Sequence, residues 1–202
     1  NAFMTYTEAD FRAETPAEKE AGTGKQGGDS KEYGIALGGP GLPAAAGWYA
    51  DCWGLGKVHE AGGAVYLRGS GPEHHILALH ERAQRGIVHI AMAAQDEAAL
   101  RALFAKLAGM AITIAAPIRP LDTPGGGIGF DIVDPDKRLL RISAGVEAYP
   151  DAPDKADAPR KITHVVLNTP HLEKALHFYE EALGFRISDW SENQMVFIRC
   201  NS

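Results

Sequence analysis

The sequence carries one pattern twice, and the two copies stand 130 positions apart. Residues 40–55 align with residues 170–185, and apolar side chains recur at the same helical spacing in both segments. Downstream, residues 65–68 (VYLR) match residues 196–199 (VFIR) at a separation of 131 positions. A strand, a helix and a later strand that recur in the same order indicate a repeated structural module. The fold is therefore expected to be built from repeats.

The second copy shows the module most clearly, at residues 162–185 (ITHVVLNTPHLEKALHFYEEALGF). Its first half alternates between two faces and is rich in β-branched residues, which predicts a strand that begins at Ile162. Thr169 suits the N-cap of a helix, Pro170 its first position and Gly184 its C-terminal end. One apolar stripe follows the predicted helix, formed by Leu172, Ala175, Leu176, Tyr179 and Leu183. The unit is therefore a strand, a tight turn and an amphipathic helix.

The residues between the two copies form a more diverged module. Gly86–Ala93 (GIVHIAMA) predicts a strand, and Asp96 suits the N-cap of the helix that follows. The predicted buried stripe of that helix is Leu100, Leu103, Phe104 and Leu107. Short strands are predicted at residues 112–114, 127–133 and 139–143. We therefore predict an α+β fold of repeated βαβββ modules, in which a curved mixed sheet carries its helices on the outside.

This pattern divides the chain into four parts. Residues 1–32 are polar and predict a mobile N-terminal arm, and residues 33–145 hold two modules and predict a complete domain. Residues 146–159, rich in Ala, Asp and Pro, predict a linker. Residues 160–202 predict the first module of a second domain. A piece of this size buries too little surface to fold alone, so we expect that a longer chain or another chain completes it.

Composition argues against several classes of function. The net charge of −6 gives no reason to expect nucleic acid or an anionic membrane surface as a partner. No apolar run approaches the roughly 18 residues that suggest a membrane span. Two cysteines are too few for a disulfide framework. The composition thus predicts a cytoplasmic globular protein.

The motifs HVVLNTP, FYEEALGF and FIRCNS of the C-terminal copy carry a family resemblance. With the modular repeat, they resemble the vicinal oxygen chelate superfamily of glyoxalases, bleomycin-resistance proteins and extradiol dioxygenases. From Tyr33 to Ser202 the chain resembles the first two-thirds of a two-domain type I extradiol ring-cleaving dioxygenase. The resemblance implies an enzyme that uses Fe(II), with Mn(II) as an alternative, to insert O₂ into a catecholic aromatic substrate. We also expect a homo-oligomer.

The resemblance further implies which residues form the site. His164 matches the family's first metal ligand, and Val166 and Phe197 match positions that line the substrate pocket. The family's second histidine ligand, its glutamate ligand and a further active-site histidine are expected beyond Ser202, so no catalytic residue is predicted within this chain. A site of two histidines and one carboxylate leaves adjacent coordination positions open for substrate and O₂.

The same mapping predicts that the N-terminal domain lacks a metal site. The counterpart of His164 is Gly34, and His89 occupies the place of the second ligand. Arg141 stands where the family's DPxGxxxE motif delivers its glutamate. A guanidinium carries only donors and cannot ligate Fe(II). His89 is therefore expected to be a buried residue that forms hydrogen bonds.

Other prominent side chains are predicted to be structural. His74 and His75 precede a strand and have no predicted partner ligands nearby. Trp48, Trp53 and Phe178 are predicted to pack between a helix and the sheet. Two further function classes stay open: a non-catalytic small-molecule binding protein of the bleomycin-resistance type, and a metal-dependent isomerase or lyase of the glyoxalase type.

Overall fold

The computed structural model describes residues 2–5, 31–150, 158–192 and 195–200. Within these ranges the protein forms one sheet of eight strands and one of four, and the predicted α+β class with repeated modules is confirmed. The first described element is the short strand β1 (Ala2–Thr5). In the part of the chain that is described, no helix combines the length and the apolar composition needed to cross a lipid bilayer.

The first module has four strands and one helix. It consists of β2 (Lys31–Gly39), α1 (Leu42–Trp53), β3 (Gly56–Ala61), β4 (Ala64–Arg68) and β5 (Leu77–Glu81). Its fourth strand, β5, lies parallel to β2 and antiparallel to β4. Helix α1 is held at its N-terminus by Glu81, whose carboxylate accepts the backbone N–H groups of Gly41 (3.0 Å) and Leu42 (2.7 Å). The sheet thus fixes where the helix begins.

The second module repeats this arrangement. It consists of β6 (Gly86–Ala93), α2 (Glu97–Ala108), β7 (Ile114–Pro120), β8 (Ile128–Val133) and β9 (Leu139–Ala144). Asp96 caps α2 as predicted, because its Oδ1 accepts the backbone N–H of Ala99 at 2.8 Å. The predicted stripe is also confirmed, since Leu100 and Leu107 are fully buried. The strand predicted at 112–114 is wrong in its bounds: β7 begins only where that segment ends.

The two modules share the eight-stranded sheet, whose order is β3-β4-β5-β2-β6-β9-β8-β7. The first strands of the modules, β2 and β6, pair antiparallel at the centre. One face packs against α1 through the buried side chains Val65, Leu67, Leu77 and Leu79. Side chains alternate along each strand, so Tyr66 and Ala78 lie on the opposite face, which we call the helix-free face.

The third module forms most of the four-stranded sheet. It consists of β10 (Val166–Thr169), α3 (Leu172–His177) with a π-helical turn at Phe178–Ala182, β11 (Arg186–Ser191) and β12 (Met195–Arg199). The predicted start of this first strand at Ile162 is wrong, because β10 begins only at Val166. Thr169 does not cap the helix as predicted; its hydroxyl instead accepts the backbone N–H of His171 (3.0 Å) in the preceding turn.

Strand β1 fills the position between β10 and β12, antiparallel to β10 and parallel to β12. In the first two modules the corresponding position holds the module's own fourth strand, which runs in the opposite sense: parallel to the first strand and antiparallel to the third. The rest of the predicted N-terminal arm before β2, and residues 151–157 of the predicted linker, lie outside the described residues.

The second and third modules share one hydrophobic core. The fully buried Leu107, Phe130 and Ile142 of the second module belong to the same cluster as Tyr179 and Val196 of the third. Each large side chain that is removed from water contributes about 1.5–3 kcal/mol. The third module, which has little core of its own, is therefore stabilised against its neighbour.

The predicted packing role of two tryptophans is wrong. Trp48 and Trp53 lie on the outer side of α1 and are about half exposed, at 50% and 49%. Tyr49 instead packs against the core of the first module and forms edge contacts with both tryptophan rings, at centroid distances of 4.9 and 5.7 Å. Phe178 packs partly buried against the shared core, as predicted.

Candidate functional site

His164 lies on the surface, two residues before β10 begins. Its Nδ1 is 3.2 Å from the hydroxyl oxygen of Thr163, which is also exposed. A hydrogen bond on one ring nitrogen orients an imidazole and leaves the other nitrogen to face a ligand. The position is thus accessible to a metal ion.

Val166 and Phe197 lie on one face of the four-stranded sheet. Both are register partners of Thr5 in β1, so they stand on either side of that central strand. Leu167 and Val196, their neighbours in sequence, are buried on the opposite face in the shared core. Val166 is 46% exposed and Phe197 is half-buried, so both offer apolar side-chain surface on this face of the sheet.

A complete metal site is not formed by these residues alone. Among the described residues there is no group of three or more His, Cys, Asp or Glu side chains that could hold a metal ion. His164 is one candidate ligand without described partners, and a retained Fe(II) or Mn(II) ion needs more than one protein ligand. The described donor set therefore does not fit the metal by itself.

The helix-free face of the eight-stranded sheet brings together His59, His75, His80 and His89. Strand register places a row of side chains across five strands, in the order His59, Tyr66, Ala78, Ala36 and His89. The ring of Tyr66 makes edge contacts with the rings of His59, His75 and His80, at centroid distances of 6.0, 5.0 and 6.2 Å. Sequence spacing did not predict that these histidine rings surround Tyr66, because the rings come from separate strands and loops.

Burial keeps two of these imidazoles neutral. It lowers the pKa of His89 to about 3, with a further contribution from the positive charge of Arg141. It also lowers the pKa of His75 to about 4, assisted by His74, whose Nδ1 lies 3.1 Å from the Nδ1 of His75. His89 is buried, as predicted. At neutral pH these rings act as uncharged hydrogen-bonding groups.

Arg141, which the sequence resemblance placed at the position of a glutamate ligand, is bound by a carboxylate. Asp131 accepts Nε and Nη2 of Arg141 at 2.8 and 3.1 Å, and Nη2 of Arg119 at 2.6 Å. Burial acts to raise the pKa of Asp131, but the hydrogen bonds and charges of the two arginines outweigh it and lower that pKa. The sequence analysis noted Arg141 but missed Asp131 and Arg119.

A second polar network joins the second and third modules. The Asp134 side chain is fully buried and accepts Nη1 of Arg138 at 2.8 Å and the hydroxyl of Tyr179 at 3.1 Å. Arg138 also donates to the backbone carbonyl of Asn168 in β10. Burial, with the negative charge of Asp134, raises the pKa of Tyr179. This network fixes how the third module sits on the second.

Comparison with known proteins agrees with this architecture. A family model described as the Glyoxalase/Bleomycin resistance protein/Dioxygenase superfamily matches residues 161–201, the segment that contains His164, Val166 and Phe197. The third module is thus similar to this superfamily. The match falls on the third module, so it covers the segment in which the sequence motifs are most specific.

Solved structures extend the likeness to most of the chain. The Mn(II)-bound glyoxalase from Novosphingobium aromaticivorans is 32% identical, with a TM-score of 0.81 over 85% of this chain and 58% of that one. Homoprotocatechuate 2,3-dioxygenase from Arthrobacter globiformis has a TM-score of 0.69 at 16% identity, over 85% of this chain and 59% of that one. The second likeness concerns the fold alone.

One curated relative is similar in sequence. Metapyrocatechase 2 from Cupriavidus necator is 30% identical over 93 residues, which cover 36% of this chain and 29% of that protein. The chain thus spans well under two-thirds of the length of this relative, of the glyoxalase and of the Arthrobacter dioxygenase.

Proposed function

We propose that this protein is an extradiol-type dioxygenase that cleaves a catecholic ring beside its two hydroxyl groups, with both atoms of O₂ entering the product. The observation that carries the proposal is that His164 is exposed and stands two positions before the exposed Val166, in the same module as the half-buried Phe197. These residues lie in the segment that the superfamily model matches. The similarity to a metapyrocatechase supports ring cleavage as the reaction class.

In this proposal each of the three residues has one role. His164 is one ligand of Fe(II) or Mn(II), and the remaining ligands come from polypeptide outside the described residues. Val166 and Phe197 contact the aromatic ring, because flat apolar surfaces favour a planar ligand. The bound metal would supply open coordination positions for the diol and O₂. The histidine's exposed position keeps the metal accessible to both.

The test uses the protein at the length in which the cell makes it. Oxygen uptake and the yellow colour of the ring-opened product are followed after catechol and Fe(II) are added under air. We expect His164→Ala to lower the rate at least about 100-fold, since even partners outside the first ligand shell cost 10–100-fold. The matched control is His171→Ala, which removes an exposed histidine of the same module.

Equal activity of the His164 and His171 variants would overturn the role of His164. Two further outcomes would replace the proposed dioxygenase activity with a different function. Binding of aromatics without oxygen uptake by any variant would identify a binding protein. Metal-dependent isomerisation of a thiol adduct of an oxo-aldehyde, without oxygen uptake, would identify a glyoxalase-type enzyme. The second alternative has specific support in the 32% identity to an Mn(II)-bound glyoxalase.

A further inference from the structure

The edge strands of the two sheets differ in how well they are protected against pairing with other chains. In the described residues these edges are β3 and β7 on the eight-stranded sheet, and β10 and β11 on the four-stranded sheet. Charged residues, prolines and bulges protect an exposed edge. Each of β3, β7 and β11 has a register shift and carries such residues, namely Lys57, Glu60, Pro117, Arg119, Arg186 and Asp189. Residues 162–169 (ITHVVLNT), which include β10, contain no Asp, Glu, Lys, Arg or Pro. The edge at β10 is therefore the least protected.

Two opening strands already pair with each other inside this chain. β2 and β6 run antiparallel, with Ile35 opposite Ile90. These two residues are equivalent, because each is the first partner in the parallel ladder between its strand and the fourth strand of its module. In both flanking pairs, a residue just before one central residue meets a residue just after the other, so exchanging the two modules leaves the pairing unchanged. The flanking pairs are Gly34 with Ala91, and Ala36 with His89.

The third module has the same geometry around Val165, which stands directly before β10. The repeat of 130 positions equates Val165 with Ile35 and Val166 with Ala36. Strand register agrees, because in each sheet one residue pairs with both the first and the third strand of the module at these positions. These residues and their partners are Thr5 with Val166 and Phe197, and Ala78 with Ala36 and Tyr66. The opening strand of the third module is thus built to pair as β2 and β6 do.

The backbone groups that such pairing needs face the outer edge. In β2, Ile35 donates its N–H to the carbonyl that directly precedes β5 (3.0 Å), so the N–H groups on either side of it face β6. By the same alternation the N–H groups of His164 and Val166 face outward, where the described residues place no strand. Both side chains are exposed. Arg138 binds the carbonyl of Asn168, which limits the free edge to the residues before it.

We propose that this edge pairs with the same edge of a second copy of the chain, antiparallel and around a two-fold axis at Val165. The pairing spans residues 163–167 and sets His164 opposite the partner's Val166. A second copy is the occupant that fits, because a strand centred in this way is complementary to itself, as the symmetric pairing of β2 with β6 illustrates. Two four-stranded sheets then form one sheet of eight strands, like that of the first two modules. The inference concerns strand pairing and does not rest on the proposed metal or reaction.

Sedimentation equilibrium of the 202-residue chain in EDTA measures this association without metal ions. We expect twice the chain mass of 21.6 kDa. Val166→Pro removes an N–H that faces the outer edge, a position where proline is tolerated. Because the two-fold axis removes this hydrogen bond twice, we expect the dimer to weaken at least about tenfold. The control is Trp48→Glu, which places a charge on the exposed side of α1 and should leave the dimer unchanged.

Disulfide cross-linking tests the register of the pairing. Val165→Cys is combined with Cys52→Ser, because Cys52 is an exposed thiol. Across the axis the two Cα atoms at position 165 are expected about 4.5 Å apart, which permits a disulfide. Thr163→Cys in the same background is the matched control, because its two copies stand about 13 Å apart along the strands. We expect Val165→Cys to cross-link at least about tenfold faster under mild oxidation.

Several results would contradict this interface. A monomeric mass, equal effects of Val166→Pro and Trp48→Glu, or equal cross-linking at positions 163 and 165 would each overturn the proposal. A dimer that only Trp48→Glu dissociates would overturn it too, and would place the contact on α1. Circular dichroism checks that each variant is folded, and if Val166→Pro is not folded, the cross-linking rates decide.

Discussion

The first two modules and the third differ in which strand lies beside the opening strand of the module. In the first two, the position beside the opening strand holds the module's own fourth strand, β5 or β9. In the third, β1 fills that position in the opposite sense, and the apolar side chains join the core of the second module. A module whose central strand and hydrophobic core come partly from other segments of the chain depends on those segments for its stability.

The polar residues of the two regions also differ. On the eight-stranded sheet, His74 and His89 are buried, and Arg119 and Arg141 bind the buried Asp131. Beside the four-stranded sheet, His164 is exposed, and its Nδ1 lies 3.2 Å from the hydroxyl oxygen of Thr163. Buried, hydrogen-bonded groups contribute to structure, whereas an accessible imidazole nitrogen is suited to bind a ligand. This contrast supports the choice of His164 as the candidate ligand of a metal ion.

The largest expected effect is at the contact between the second and third modules. Asp134→Ala removes the carboxylate that binds both Arg138 and Tyr179, and leaves a guanidinium and a hydroxyl without it. We expect the free energy of unfolding in urea to fall by about 3–5 kcal/mol, as when one partner of a buried ion pair is removed. The exposed Glu97→Ala is the control and should cost about 0.5 kcal/mol or less. A small effect of Asp134→Ala would show that the third module does not depend on this network.

The next effect concerns pH and the buried histidines. His89 and His75 have folded pKa values of about 3 and 4, below the value of 6.5 for an unfolded chain. Between these limits the unfolded chain binds more protons, so stability is fully present above pH 6.5 and is lost as the pH falls toward 3–4. We expect a loss of up to about 2 kcal/mol per histidine between pH 6.5 and pH 5.

Urea unfolding at several pH values measures this loss. His89→Gln should remove part of the pH dependence, while His171→Gln, which changes an exposed histidine, should leave it intact. If the pH dependence of His89→Gln equals that of the unchanged protein, His89 is not held neutral by burial.

A smaller and local effect is expected from a change in β1, which lies between β10 and β12 of the third module. Met4→Pro removes a backbone N–H from β1, which lies between two strands. We expect faster amide hydrogen exchange in β10 and β12, equivalent to about 1 kcal/mol of local stability. Exchange in β6 and β9 should not change. Unchanged exchange in β10 and β12 would show that β1 contributes nothing to the third module.

The smallest effect is expected at the surface of α1. Trp48→Ala should cost less than about 1 kcal/mol, because half of the ring is already exposed and its contacts are with Tyr49 and Trp53. Phe130→Ala, a matched change at a fully buried aromatic ring, should cost about 3–5 kcal/mol. Similar urea midpoints for the two variants would contradict the half-exposed position of Trp48.

Local patterns in the sequence determined the modular part of this protein. The repeat predicted the α+β modules, Asp96 predicted the start of α2, and Leu100 and Leu107 predicted its buried side. These features depend on residues within a few positions of one another, where helical spacing and cap chemistry act directly.

Tertiary structure alone decided the features that join distant residues. The apolar stripe of α1 predicted that Trp53 is buried, but the sheet covers only the side that bears Leu42 and Tyr49. Asp134 meets Tyr179 across 45 positions, and β1 joins strands more than 160 positions away. No local spacing encodes such contacts, because they form only when packed strands bring separate parts of the chain together. The polar networks around Asp131 and Asp134 belong to this second class.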